Sequence, residues 1–163
     1  MSHNLSKVMQ SLRLQNNSLA RLLHEQLHKR MLAFCELYTP EMPALIVVDT
    51  WLTRLFSGDN NLHIHVNLDN DYRIVGHTVI DVQDVFGYKV VHCYQACADK
   101  GYTSTLDDGA EYVDKLVALT GAQYSTFTVG KHSKALEKKY GYKIGRILMI
   151  KRATDTVADT GEK

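Results

Sequence analysis

Apolar residues recur at two different periods along this chain, and the change of period divides it into zones. At the start, Leu5, Val8, Met9 and Leu12 fall three or four residues apart, and so do Leu19, Leu22, Leu23, Leu27 and Met31. That spacing puts them on one face of a helix. Asn16-Asn17-Ser18 interrupts the run, with Ser18 the expected cap of a second helix. The predicted N-terminal helical segment therefore spans residues 1–38. Its opposite face carries Lys7, Arg13, Arg21, Lys29 and Arg30 against Glu25. Such a segment suits a helix packed on its own domain, an arm docked on another subunit or a helix at a membrane surface. Pro40 and Pro43 follow, and Pro43 suits a first helical turn. Leu45, Val48, Trp51, Leu52 and Leu55 then predict a further helix, ended by Ser57-Gly58-Asp59-Asn60. Residues 44–48, ALIVV, are short enough to be a buried strand instead.

From residue 62 the period becomes two. Leu62, Ile64, Val66 and Leu68 alternate with His63, His65 and Asn67, which predicts a strand with one apolar and one polar face. Asp69-Asn70-Asp71 supplies a turn, RIVGHTVIDVQDV a second strand, Phe86-Gly87 a tight turn and KVVHCYQAC a third strand. The helical period returns with Leu106, Ala110, Val113, Leu116 and Val117, after a possible capping box of Thr105 and Asp108 and before a stop at Gly121. QYSTFTV reads as a strand, KHSKALEKKY as a short helix ended by Gly141, and YKIGRILMIKR as a last strand. A meander followed by a crossover helix predicts an α/β (mixed α+β) fold, a mixed and mostly antiparallel sheet with helices on both faces. The domain organisation expected is a helical segment over 1–38, a sheet-based domain over 39–152 and a polar acidic tail over 153–163.

Composition narrows this little. The chain has 163 residues, 45% hydrophobic and 23% charged, with a formal net charge of +1, so no global field argues for a nucleic-acid or membrane partner. No apolar run approaches the roughly 18–20 residues that span a bilayer, and the first residues lack the apolar core of a signal peptide. Cys35, Cys93 and Cys97 form no CxxC motif, which fits reduced thiols in a cytoplasm.

The element order, and above all ALEKKYGYKIGRILMIK, resembles the GNAT superfamily of N-acetyltransferases over about residues 62–152. The resemblance implies that strands Lys89–Cys97 and Gln123–Val129 splay apart to admit acetyl-CoA. Its diphosphate would then rest on backbone amides at the start of a helix beginning near Leu106. The family's loop motif, Gln/Arg-x-x-Gly-x-Gly/Ala, would fall on QACADKGYTST, with Gly101, Tyr102, Thr103 and Ser104 as cofactor-binding candidates. Ala98 then stands where Gln or Arg belongs and Thr103 where Gly or Ala belongs. The family's tyrosine acid would fall on Glu137, with Tyr140 the candidate substitute. A frequent asparagine would fall on Gly130.

These departures are similar to those of small GNAT-like proteins encoded by tailed phages. The function expected is a non-catalytic interaction or assembly module without a cofactor, such as a virion component. Its partners would be other protein subunits, reached through the N-terminal helical arm and the basic C-terminal region. The alternative is an active acetyl-CoA-dependent N-acetyltransferase. Location would be cytoplasmic in the producing cell, or the virion for a phage structural protein.

Three smaller constellations complete the reading. His63, His65, His77 and His92 with Cys93 lack metal-ligand spacing and read as solvent-facing or hydrogen-bonded side chains. Lys131, Lys134, Lys138, Lys139, Lys143, Arg146, Lys151 and Arg152 face only Glu137 locally, an excess suited to a solvated face, an acidic partner or a phosphate. Cys93 and Cys97 share strand parity and so one face of the sheet.

Overall fold

A computed structural model describes residues 10–129, 134–143 and 145. In chain order the elements are β1 (Gln10–Arg13), α1 (Ser18–Tyr38), α2 (Ala44–Phe56), β2 (Leu62–Leu68), β3 (Ile74–Val85), β4 (Tyr88–Ala98), α3 (Ser104–Thr120), β5 (Tyr124–Phe127) and α4 (Lys134–Tyr140). The strands form one sheet in the order β1-β2-β3-β4-β5, antiparallel except for the parallel β4–β5 pair. The predicted last strand over YKIGRILMIKR lies largely outside the described residues. So do Leu5, Val8, Met9, Gly130, Lys131, Arg146, Lys151, Arg152 and the tail.

The sheet is covered on both faces. Ala20, Leu23, Leu27, Met31 and Cys35 of α1 and Val48, Trp51, Leu52 and Leu55 of α2 bury against Leu62, Ile64, Val66 and Leu68. On the other face, Val113 and Leu116 of α3 meet Ile80, Val91 and Cys93. Residues 44–48 are helical, because the apolar stripe of α2 faces this core while Leu45 and Ile46 stay exposed.

Four local expectations are corrected. Residues 10–13 form a strand, with Leu12 opposite Val66. Pairing with the free edge of β2 overrides the helical spacing there. The helix cap is Asn17, whose side chain accepts from the Ala20 amide at 3.2 Å. The cap position of α3 is Thr103, and Thr105 lies inside the first turn, its hydroxyl donating to Tyr102 O at 2.8 Å, so there is no capping box. Finally, His63, His65 and Asn67 do not face solvent: all seven residues of β2 are buried, because α3 lies over the polar face.

Two glycines let α3 lie that close. A Cβ on Gly109 would stand 2.6 Å from Thr78 Oγ1, and one on Gly76 would stand 2.5 Å from Thr105 Oγ1. At the hairpin between β3 and β4, Phe86 and Gly87 both have positive φ, 51° and 85°, the geometry of a two-residue I′ turn.

Candidate functional site

The parallel pair β4–β5 is short. It runs from Val90↔Tyr124 to Cys93↔Phe127, and its last link is the Thr128 amide donating to Cys93 O at 3.1 Å. β4 continues for five more residues, Tyr94 to Ala98, paired among the described strands only with β3. The described pairing of β5 thus stops where β4 runs on, and from Tyr94 to Ala98 no described strand covers that edge of β4.

Just past the last described β4–β5 link, β4 carries a bulge. Val79 pairs with Gln95 and Ile80 with Cys93, so Tyr94 is the extra residue. The bulge resets the alternation. Cys93 joins the α3-side core while Tyr94, Gln95 and Cys97 all face α1 and α2. Cys93 and Cys97 thus lie on opposite faces, against the parity expected. Burial pushes the Cys93 thiol well up and raises that of Cys97, so neither is a ready nucleophile.

A buried chain of hydrogen bonds fixes this part of β4 to α1. Arg30 Nε donates to His77 Nδ1 (3.4 Å), His77 Nε2 meets Gln95 Oε1 (2.9 Å), and Gln95 Nε2 donates to Met31 O (3.1 Å). Burial pushes the His77 imidazole down to about 4. It is therefore neutral, and Nδ1 is free to accept from Arg30 while Nε2 donates. The same guanidinium reaches Asp99 Oδ1 at 2.8 Å. Asp99 opens the loop between β4 and α3, so α1 positions that loop directly.

The loop holds the sequence-predicted binding residues. Gly101 has φ +89° and is exposed, a conformation that favours glycine. The Tyr102 amide donates to Asp99 O at 2.9 Å, Thr103 sits at the cap position, and Ser104 begins α3. Among the described residues, the amides of Lys100, Gly101, Thr103 and Ser104 donate no hydrogen bond. Because α3 starts at Ser104 and not near Leu106, its unpaired amides lie beside the glycine, where the helix end favours an anion.

Tyr140 reaches the same region. Its hydroxyl donates to Asp107 Oδ1 at 2.7 Å, and Lys139 Nζ lies 2.9 Å from the same oxygen. Lys139 and then Tyr140 hold the Asp107 carboxyl below its usual range. Burial, and then the bond to Asp107, raise the Tyr140 phenol. Glu137 stands exposed on α4. The structure thus brings Tyr140 to the first turns of α3, while Glu137 takes no part in that contact.

On the α2 side of the sheet, His92 sits beside the bulge at the end of the described β4–β5 pairing. Its Nδ1 lies 2.6 Å from Thr126 Oγ1 and its Nε2 lies 2.7 Å from Thr128 Oγ1. Its ring stands edge-on to Tyr94, with centroids 4.5 Å apart. Directly opposite on β3 is Asp81, held by both terminal nitrogens of Arg54 at 2.8 and 2.9 Å. Sequence reasoning missed the Arg30–Asp99 link and the Thr126–His92–Thr128 bracket. The signal available was the matched alternation of Thr126 and Thr128 in QYSTFTV.

His63 and His65 stand away from β5 and the glycine loop. They lie under α3, where His63 Nδ1 meets the Tyr112 hydroxyl at 2.8 Å and His65 stacks on its ring. Among the described residues no group of three or more His, Cys, Asp or Glu could hold a metal ion. None of the described helices is long and apolar enough to cross a membrane.

Comparison with solved structures fits this architecture. The chain superposes on glucosamine-6-phosphate N-acetyltransferase from Arabidopsis thaliana with a TM-score of 0.60 and 14% identity, covering 88% of this chain and 97% of that one. This chain has the GNAT-like acetyltransferase fold. An aminoglycoside acetyltransferase from an uncultured soil metagenomic sample gives a TM-score of 0.60 at 18% identity, over 88% and 96% of the two chains. An acetyltransferase from Trypanosoma brucei gives 0.58 at 16%, over 88% and 98%. No protein-family model matches the chain, and no curated protein matches it by sequence. At these identities the likeness concerns the fold.

Proposed function

We propose that the protein is an N-acyltransferase whose acyl donor is a coenzyme A thioester such as acetyl-CoA. The observation that carries this reading is the uncovered far end of β4 and the loop that follows it. β4 runs on past its last described pairing with β5, and its far end leads into a glycine loop in which the amides of Lys100, Gly101, Thr103 and Ser104 donate no hydrogen bond among the described residues. The residues fit the donor's chemistry. The amides of Lys100, Gly101, Thr103 and Ser104 would hold its diphosphate, and the free edge of β4 from Tyr94 onward would hold its extended amide-bearing arm. The thioester supplies an activated acyl carbon. Tyr140, with its phenol raised, stays protonated at neutral pH and is the chain's candidate proton donor near this loop. Acetyltransferases that share the fold support this reading over a virion component.

Calorimetric titration with acetyl-CoA tests it. The expected Kd is below about 0.1 mM, roughly 5.5 kcal/mol, and Thr103→Glu, which sets a carboxylate among the amides, should abolish binding. Absence of heat at millimolar acetyl-CoA would end the proposal.

A second reading, a non-catalytic module that binds other protein subunits, is favoured by the apolar side chains α1 and α2 turn outward. Leu22, Leu37, Leu45 and Ile46 are all more than half exposed. A stable oligomer in light scattering, lost on Leu22→Glu with Ile46→Glu, is its expected signature.

A further inference from the structure

We infer that His92, acting through the hydroxyl of Thr128, accepts the proton that the acceptor amine loses as it is acylated. This rests on the acyltransferase reading and adds the side chains that would handle the amine proton. The geometry supports it in three ways. His92 and Thr128 stand at the last described link between β4 and β5, where β4 runs on alone toward the glycine loop. The Thr128 residue is exposed while the imidazole behind it is half-buried, so the hydroxyl is the part that an incoming amine can touch. Both ring nitrogens meet threonine hydroxyls within 2.7 Å. With the ring proton on Nδ1, donated to Thr126, Nε2 is the acceptor facing Thr128.

The groups facing this ring are Thr126 and Thr128 beyond β4, Tyr94 on its own strand and Asp81 opposite. The charge of Asp81 is shared with Arg54, which also holds Asp59 at 2.7 Å. Burial lowers the His92 imidazole and Asp81 partly offsets this, so the ring is neutral and able to accept near pH 7.

The step balances. The amine nitrogen bonds to the acyl carbon, and the carbon–sulfur bond of the thioester breaks. As the nitrogen becomes acidic, its proton passes to Thr128 Oγ while the hydroxyl's own proton passes to His92 Nε2. The released thiolate takes up one proton from Tyr140 or water, and His92 returns its proton to solvent. One amine and one thioester give one amide and one thiol.

The test has three readouts. In the free protein, 15N shifts of labelled imidazole should show Nε2 as the unprotonated acceptor and an imidazole pKa below the ordinary 6.5, both altered by Thr128→Val. Acetyl-CoA binding by calorimetry should be unchanged within about twofold in His92→Gln and Thr128→Val. Acyl transfer from acetyl-CoA to a panel of glucosamine, benzylamine and a lysine peptide should fall about 100-fold or more in His92→Gln, with loss of the acid limb of the kcat/KM–pH profile. Thr128→Ser should restore what Thr128→Val removes. Protonated Nε2 in the free protein, full turnover in His92→Gln, or binding without turnover of any of these amines would overturn the inference while leaving donor binding intact. Failure to bind acetyl-CoA at all would instead overturn the reading beneath it, and this inference with it.

Discussion

The phenol of Tyr140 donates to the Asp107 carboxylate, and that contact makes it both a better-held proton and a less available one. The anion opposite favours the neutral phenol, so it raises the pKa. Replacing Asp107 with Asn removes the charge, and the Tyr140 pKa should then fall. A 13C-tyrosine NMR titration, assigned with Tyr140→Phe, reads this directly. Asp107 also stands one helical turn beyond the unpaired amides of the loop, where a negative charge opposes an anionic ligand. Asp107→Asn should therefore tighten acetyl-CoA binding a few-fold at low salt, with the gain shrinking as salt rises. Neither effect was legible in the sequence. Tyr140 and Asp107 lie 33 residues apart, and only the docking of α4 on α3 brings them together. What the sequence did supply was the chemistry of the loop: Gly101 and, after Tyr102, the small hydroxyl residues Thr103 and Ser104, here found at the start of a helix.

Among the elements, α3 depends most on one close approach. Gly109 lies mid-helix, where glycine costs about 1 kcal/mol relative to alanine, and it is kept because Thr78 fills the space a Cβ would need. Gly109→Ala should thus destabilise the fold, by about 1–3 kcal/mol, although propensity alone predicts the reverse. Combining it with Thr78→Ala should recover part of the loss, and urea denaturation of the two single variants and the double variant measures that coupling. A glycine inside an apolar helical stripe is a signal that a sequence can carry. The meander, α2, α3 and α4 were legible for the same kind of reason, since their periods are set locally. β1 was not, because four residues that pair with a distant edge leave too short a pattern to outweigh the Leu12 spacing. The bulge at Tyr94 was not legible either: it is a slip of backbone register, and parity counted through it put Cys97 on the wrong face.

At the scale of the whole molecule, covering both faces of the sheet traps imidazoles that the alternation of β2 alone assigns to solvent. Burial pushes His63 and His77 down to about 4 each, and lowers His65 and His92 as well. The unfolded chain protonates these rings near 6.5, so between about pH 6.5 and 4 it binds more protons than the folded one. Stability is therefore fully present above about pH 6.5 and declines as pH falls through that window, by on the order of 3 kcal/mol for each of His63 and His77. Asp59 and Asp69, held low chiefly by Arg54 and by the Arg73 amide respectively, extend the loss in the same direction below about pH 4. The urea midpoint should fall steeply from pH 6.5 to 4, with close to two or more protons taken up on unfolding near pH 5. His63→Asn should remove about one of those protons. His77→Gln should remove another, and it should also loosen the Arg30–His77–Gln95 chain that holds the bulge. If the two variants share the reduced proton uptake and only His77→Gln weakens acetyl-CoA binding, the buried histidine beside Arg30 serves the glycine loop as well as the core. Equal binding in both would confine His77 to stability.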